Sequence, residues 1–120
     1  MFARYLVAAA VIAVMVPCLC GSAAAREEVT YLYGGDLTKY CAASDQTTDY
    51  MVCDWFIAGA LEVIVNNPSY GLSACPPHMI NGPQAVKLTR LWLAAHPEQE
   101  LRPGSYVVAA AVAAAFPCKK

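Results

Sequence analysis

The side chains best equipped for chemistry in this sequence are its cysteines and histidines, and their surroundings exclude most of that chemistry. Cys41, Cys53, Cys75 and Cys118 lie downstream of a leader that carries Cys18 and Cys20. A zinc site would want short C-x-x-C knuckles, and none occurs after residue 25. An even set of thiols in a small exported domain pairs into disulfides instead. Four cysteines allow three connectivities. The expected pairing is Cys41–Cys53 with Cys75–Cys118, closing loops worth roughly 3 and roughly 4 kcal/mol by chain entropy. His78 and His96 each stand beside a proline at a predicted helix boundary rather than next to a serine or cysteine that a base could activate. Asp54 and Glu62 fall on one predicted helix about 12 Å apart along its axis, too far to share a proton, and are expected as solvated surface carboxylates. Cys75-Pro76-Pro77-His78-Met79 offers soft metal ligands. With Cys75 in a disulfide, however, His78 and Met79 alone make a poor copper site. The chain is expected to be no enzyme, with no metal and no cofactor.

The elements that hold these residues begin after a leader. Leu6 to Val16 is an unbroken apolar run, preceded by Arg4 and followed by Pro17 and then Ala23-Ala24-Ala25. That order is a secretory signal peptide with an A-x-A cleavage site. The run is too short to cross a bilayer, which takes about 20 apolar residues. An uncleaved anchor and a lipoprotein are the weaker readings, the second because Pro17 and Leu19 stand where a lipidated cysteine needs small neighbours. Residues 1–25 are therefore expected to be removed, leaving residues 26–120 as one periplasmic domain with no stable membrane insertion. The full chain has eight basic and nine acidic residues. Cleavage takes Arg4 and no acid, so the mature charge is −2. The basic residues are scattered, which argues against a nucleic-acid partner.

Helical periodicity organises the rest. Gly35 to Ala43 reads as a short first helix with Asp36 at its positive end. Asp49 to Val65 reads as a long second helix, its buried stripe centred on Val52, Phe56, Gly59 and Val63 together with Trp55. Gly59 costs about 1 kcal/mol against alanine there, and close approach of a neighbouring helix is the expected reason. Pro68 stops that helix. Asn81 is the expected N-cap, and Pro83 a first-turn residue, of a third helix running to Ala95. Ala85, Leu88, Trp92 and Ala95 form its apolar face, with Lys87 and Arg90 opposite. His96-Pro97 ends it, and residues 98–104 read as a polar connection. Ser105 caps a last helix through Phe116 that is apolar on every side and belongs at the buried centre. No convincing strand alternation occurs. The expected fold is all-α, a small four-helix domain stapled by disulfides.

Together these motifs resemble a known family. Gly35-x-Leu37-x3-Cys41, Cys53-x2-Phe56-x2-Gly59, Cys75-Pro76-Pro77, Gln84, Leu93-x2-His96-Pro97 and Ala114-x-Phe116-Pro117-Cys118 are similar to the Rap/Tai family of periplasmic immunity proteins. The resemblance runs from about Gly34 to Cys118 and is most specific in the closing AFPC with HP before it. Phe56 stands where tyrosine is common, and Pro77 is not required by the pattern. The resemblance implies a helical protein, often a homodimer, that binds a peptidoglycan amidase delivered by type VI secretion and plugs its active-site cleft. The motif residues are structural, so partner-contacting residues do not carry over. By exposure alone, the candidates are the loop Asn66–Ser73 with Tyr70 and the turn from His96 to Arg102. A loop held at both ends docks with less entropy loss. Two other readings compete: a small periplasmic chaperone or stress protein of the HdeA-like kind, and an envelope protein of the same fold without a cognate toxin.

Overall fold

The first helix starts where Asp36 makes it start. In the computed structural model, which describes residues 32–120, the Asp36 carboxylate accepts the Tyr33 N–H at 2.9 Å, and α1 runs Gly34–Cys41. It begins and ends slightly earlier than the expected 35–43. The proposed signal peptide and its cleavage site lie outside the described residues. Helix α2, Thr48–Asn66, is capped by the Thr47 hydroxyl, which accepts from the Tyr50 N–H. Helix α3, Gly82–Ala95, opens as expected, with Asn81 Oδ1 accepting the Gln84 N–H at 2.9 Å and proline in the first turn. The connection after it is more ordered than a plain loop, because Pro97–Leu101 forms a 3-10 turn. Helix α4 is Gly104–Ala115. Its N-cap is Pro103, with no side-chain cap, so Ser105 lies inside the helix rather than capping it. Among the described residues there are isolated bridges but no strand. The fold is an all-α, four-helix domain.

Helix α4 is the centre of the molecule. Val107, Val108, Ala109, Ala110, Ala111 and Val112 are all buried, and α1, α2 and α3 each pack on α4. Its alanines let the neighbours close in while its valines fill the gaps, which is how an interior reaches organic-crystal density. Helix α3 presents Ala85, Val86, Thr89 and Leu93 to this core. Leu88 and Trp92 are only partly buried and Ala95 is exposed, so its inner face is rotated slightly from the expected one.

Helix α2 corrects the sequence reading more sharply. Its buried row is Cys53, Ile57, Leu61 and Ile64. Trp55 is 74% exposed and Val63 55% exposed, Val52 is also at the surface, and Phe56 is half-buried. Among the described residues nothing lies within 4 Å of where a Gly59 Cβ would stand, so close approach of α1, α3 or α4 is not its reason. The cause is covalent: Cys41 and Cys53 are joined, with Cα atoms 5.2 Å apart and both residues wholly buried. That crosslink turns Cys53 and the residues in register with it toward α1. Because α2 is apolar nearly all round, its periodicity could not reveal which side faces in.

Two further ties close the domain. Gly34 N–H donates to Arg102 O at 2.9 Å and Gly104 N–H to Leu32 O at 2.8 Å, binding the start of α1 to the start of α4. Cys75 joins Cys118, Cα atoms 4.9 Å apart, and Cys75 N–H donates to Phe116 O at 2.8 Å. The segment before α3 is thereby fastened to the end of α4.

Candidate functional site

A two-residue turn after α2 supplies the most unusual backbone. Ser69 and Leu72 exchange both main-chain hydrogen bonds, at 3.2 and 2.8 Å. Between them Tyr70 and Gly71 take φ values of 58° and 71°. Left-handed backbone at both central positions is the hairpin turn that favours glycine at its second place. Glycine adopts it freely. A bulky tyrosine does not, and such a conformation costs on the order of 1–3 kcal/mol unless the surroundings hold it.

The surroundings come from α4. The Tyr70 hydroxyl hydrogen-bonds to the Ser105 hydroxyl, and its ring meets Tyr106 nearly at right angles with centroids 5.5 Å apart. The Arg102 guanidinium lies over the Tyr106 ring at 4.0 Å from its centroid, a cation–π stack. Tyr70, Tyr106 and Arg102 thus form one surface ladder, with Tyr70 51% exposed and Arg102 at the surface. A shallow hollow lined by Ala60, Val63, Ile64, Tyr70 and Ser105 links the ladder to the exposed side of α2. Tyrosine and arginine presented on pre-ordered backbone are the usual anchors of a protein interface.

The structure therefore brings Tyr70 and Arg102 together, through Ser105 and Tyr106 of α4. In the sequence Tyr106 is one of a run of apolar residues, and Ser105 reads as a helix cap. The pair Tyr70 and Ser105 is separated by 35 residues, beyond any local signal. Only the Ser-Tyr-Gly-Leu order hinted at the turn. His96 is placed differently. Its ring stacks on Trp92 with centroids 4.3 Å apart, and Nδ1 lies 2.8 Å from the Trp92 carbonyl oxygen. A carbonyl only accepts, so Nδ1 carries the proton and His96 finishes α3.

The remaining polar candidates have structural surroundings. Asp54 is not a freely solvated carboxylate: its Oδ1 is buried without a hydrogen-bond partner among the described residues and abuts Gly82, where an added Cβ would fall 2.5 Å away. His78 and Met79 line a cleft of about 350 Å³ with Leu61, Glu62, Val65 and Ile80. A second groove of about 650 Å³ lies where α1, α3 and the 3-10 turn meet, with Lys87, Arg90 and Glu100 around Leu91 and Leu93. Among the described residues no three of His, Cys, Asp and Glu gather as a metal site, and no helix is long and apolar enough to cross a membrane.

A search of the curated proteins finds no match to the chain. The family model described as Rap1a immunity proteins matches residues 33–118. That span opens at Tyr33, whose N–H caps onto Asp36, and closes at Cys118, one half of the second disulfide. It takes in the four helices and the Tyr70–Tyr106–Arg102 ladder. The chain belongs to the Rap1a immunity protein family.

Proposed function

We propose that this chain is exported by a signal peptide ending at Ala25, and that residues 26–120 act in the periplasm as an immunity protein. In this reading it binds a secreted peptidoglycan amidase and occludes its active site. It works by recognition, with no turnover, metal or cofactor of its own. The observation that carries the proposal is membership of the immunity family across the whole described fold. Two disulfides in a domain this small fit an oxidising compartment.

The ladder of Tyr70, Tyr106 and Arg102 is the proposed contact surface. Its residue types suit an interface core, and its backbone is ordered before docking, which limits the entropy lost on association. His96 would act at one remove, by fixing the direction of the chain that leads through the 3-10 turn to Arg102. Capture of periplasmic proteins on the immobilised mature chain tests this. A cell-wall amidase should be retained, and Tyr70→Ala and Arg102→Ala should each weaken retention at least tenfold, a loss typical of an interface anchor. Retention of no hydrolase would remove the proposal. Retention unaffected by either substitution would move the contact surface elsewhere.

A further inference from the structure

The two disulfides stand in opposite surroundings. Cys41 and Cys53 are wholly buried in the core. Cys75 is exposed and Cys118 half-exposed; among the described residues their segments are joined by the Ala74–Pro117 bridge and by the main-chain bond from Cys75 to Phe116. Thiol–disulfide exchange needs a thiolate to reach a sulfur. A buried pair is reached only after local or global opening, an exposed pair directly.

We propose that Cys75–Cys118 is a redox-addressable site, opened by a dithiol reductant while the four helices and Cys41–Cys53 remain intact. One thiolate of the dithiol attacks Sγ of Cys75. The sulfur–sulfur bond breaks and Cys118, followed in the chain by Lys119 and Lys120, leaves as a thiolate before taking a proton from solvent. The second thiol of the reagent gives up its proton and attacks the reagent's own sulfur in the mixed disulfide, freeing Cys75. Two electrons pass from the dithiol, which becomes a disulfide, to the protein, which gains two thiols.

The consequence is local. Pro76, His78, Met79 and Ile80 form one wall of the cleft against Leu61 and Val65 of α2, and Cys75 fastens that wall to the end of α4. Reduction releases this wall at one end, so the oxidation state of the compartment sets whether the wall is tied to the end of α4. The inference does not depend on the amidase reading, since it concerns the purified chain alone.

The test is native reduction of the mature chain with dithiothreitol, samples being quenched by iodoacetamide over time and mapped by non-reducing peptide mass spectrometry. Cys75 and Cys118 should be alkylated together at least tenfold faster than Cys41 and Cys53, with the far-ultraviolet helix signal retained. Equal rates for the two pairs, earlier opening of Cys41–Cys53, or loss of helix in step with Cys75 alkylation would each overturn the proposal. A Cys75→Ser/Cys118→Ser variant gives a second reading: its Cys41–Cys53 crosslink should survive the same treatment.

Discussion

Thr89 is wholly buried in α3, and its hydroxyl has no hydrogen-bond partner among the described residues. A buried hydroxyl left unpaired costs roughly 1–3 kcal/mol in desolvation. Thr89→Val keeps the shape and removes the polar atom, so unfolding in guanidinium should show stability unchanged or raised by up to about 1 kcal/mol. Gly34 gives the opposite expectation. A Cβ there would fall 2.6 Å from the Gln99 carbonyl oxygen and 3.0 Å from the Glu100 Cα, both main-chain atoms that cannot swing aside. Gly34→Ala should therefore cost about 1–3 kcal/mol as an overpacking change, read by the same denaturation. At this scale the sequence was a fair guide to residue type and a poor one to conformation. Tyr70 and Arg102 stood out by type and exposure, but the left-handed backbone under Tyr70 and its bond to Ser105 depend on two segments folded together.

Helix boundaries were legible where a side chain or proline enforces them. Asn81 caps α3, His96-Pro97 ends it, and Asn67-Pro68 follows the end of α2. The burial of α4 was legible because a helix with no polar face has nowhere else to go. The rotation of α2 was not legible in its periodicity, since a helix apolar on several sides offers several inward faces; the Cys41–Cys53 pair, which the sequence did suggest, is what selects one. Two substitutions check that rotation by chemical denaturation. Ile57→Ala should cost about 2–5 kcal/mol as a core truncation, and Trp55→Ser should stay within about 0.5 kcal/mol as a surface change. Similar losses at both would mean that Trp55 is inside. Gly59 carries a further expectation. Met51, Trp55, Gly59 and Val63 make a row of fourth residues on the exposed side of α2, the ridge by which one helix seats against another. A homodimer built on that row would bring Gly59 to the crossing point. Gly59→Leu should then raise monomer stability by roughly 1 kcal/mol through helix propensity while weakening self-association in sedimentation equilibrium. Unchanged association, or a monomer throughout, would contradict a homodimer on this row.

For the molecule as a whole, family membership implies a protein that acts on a cognate effector, and the proposed mode of action is a fixed shape fitted to that partner. The fold's two crosslinks matter to that role because a small core supplies little stability to spare. An acid-activated chaperone would have to open and expose its core. The HdeA-like reading therefore predicts suppressed aggregation of client proteins at about pH 2–3, visible by light scattering, whereas a fixed-shape inhibitor leaves the scattering unchanged. The most direct test of the central claim is inhibition itself. Purified residues 26–120 should be titrated into peptidoglycan amidases, including the product of any hydrolase gene beside its own, while stem-peptide cleavage is followed. The account predicts that at least one amidase is silenced at one-to-one stoichiometry with nanomolar affinity. Cleavage continuing at full rate in every amidase under hundredfold excess would contradict it.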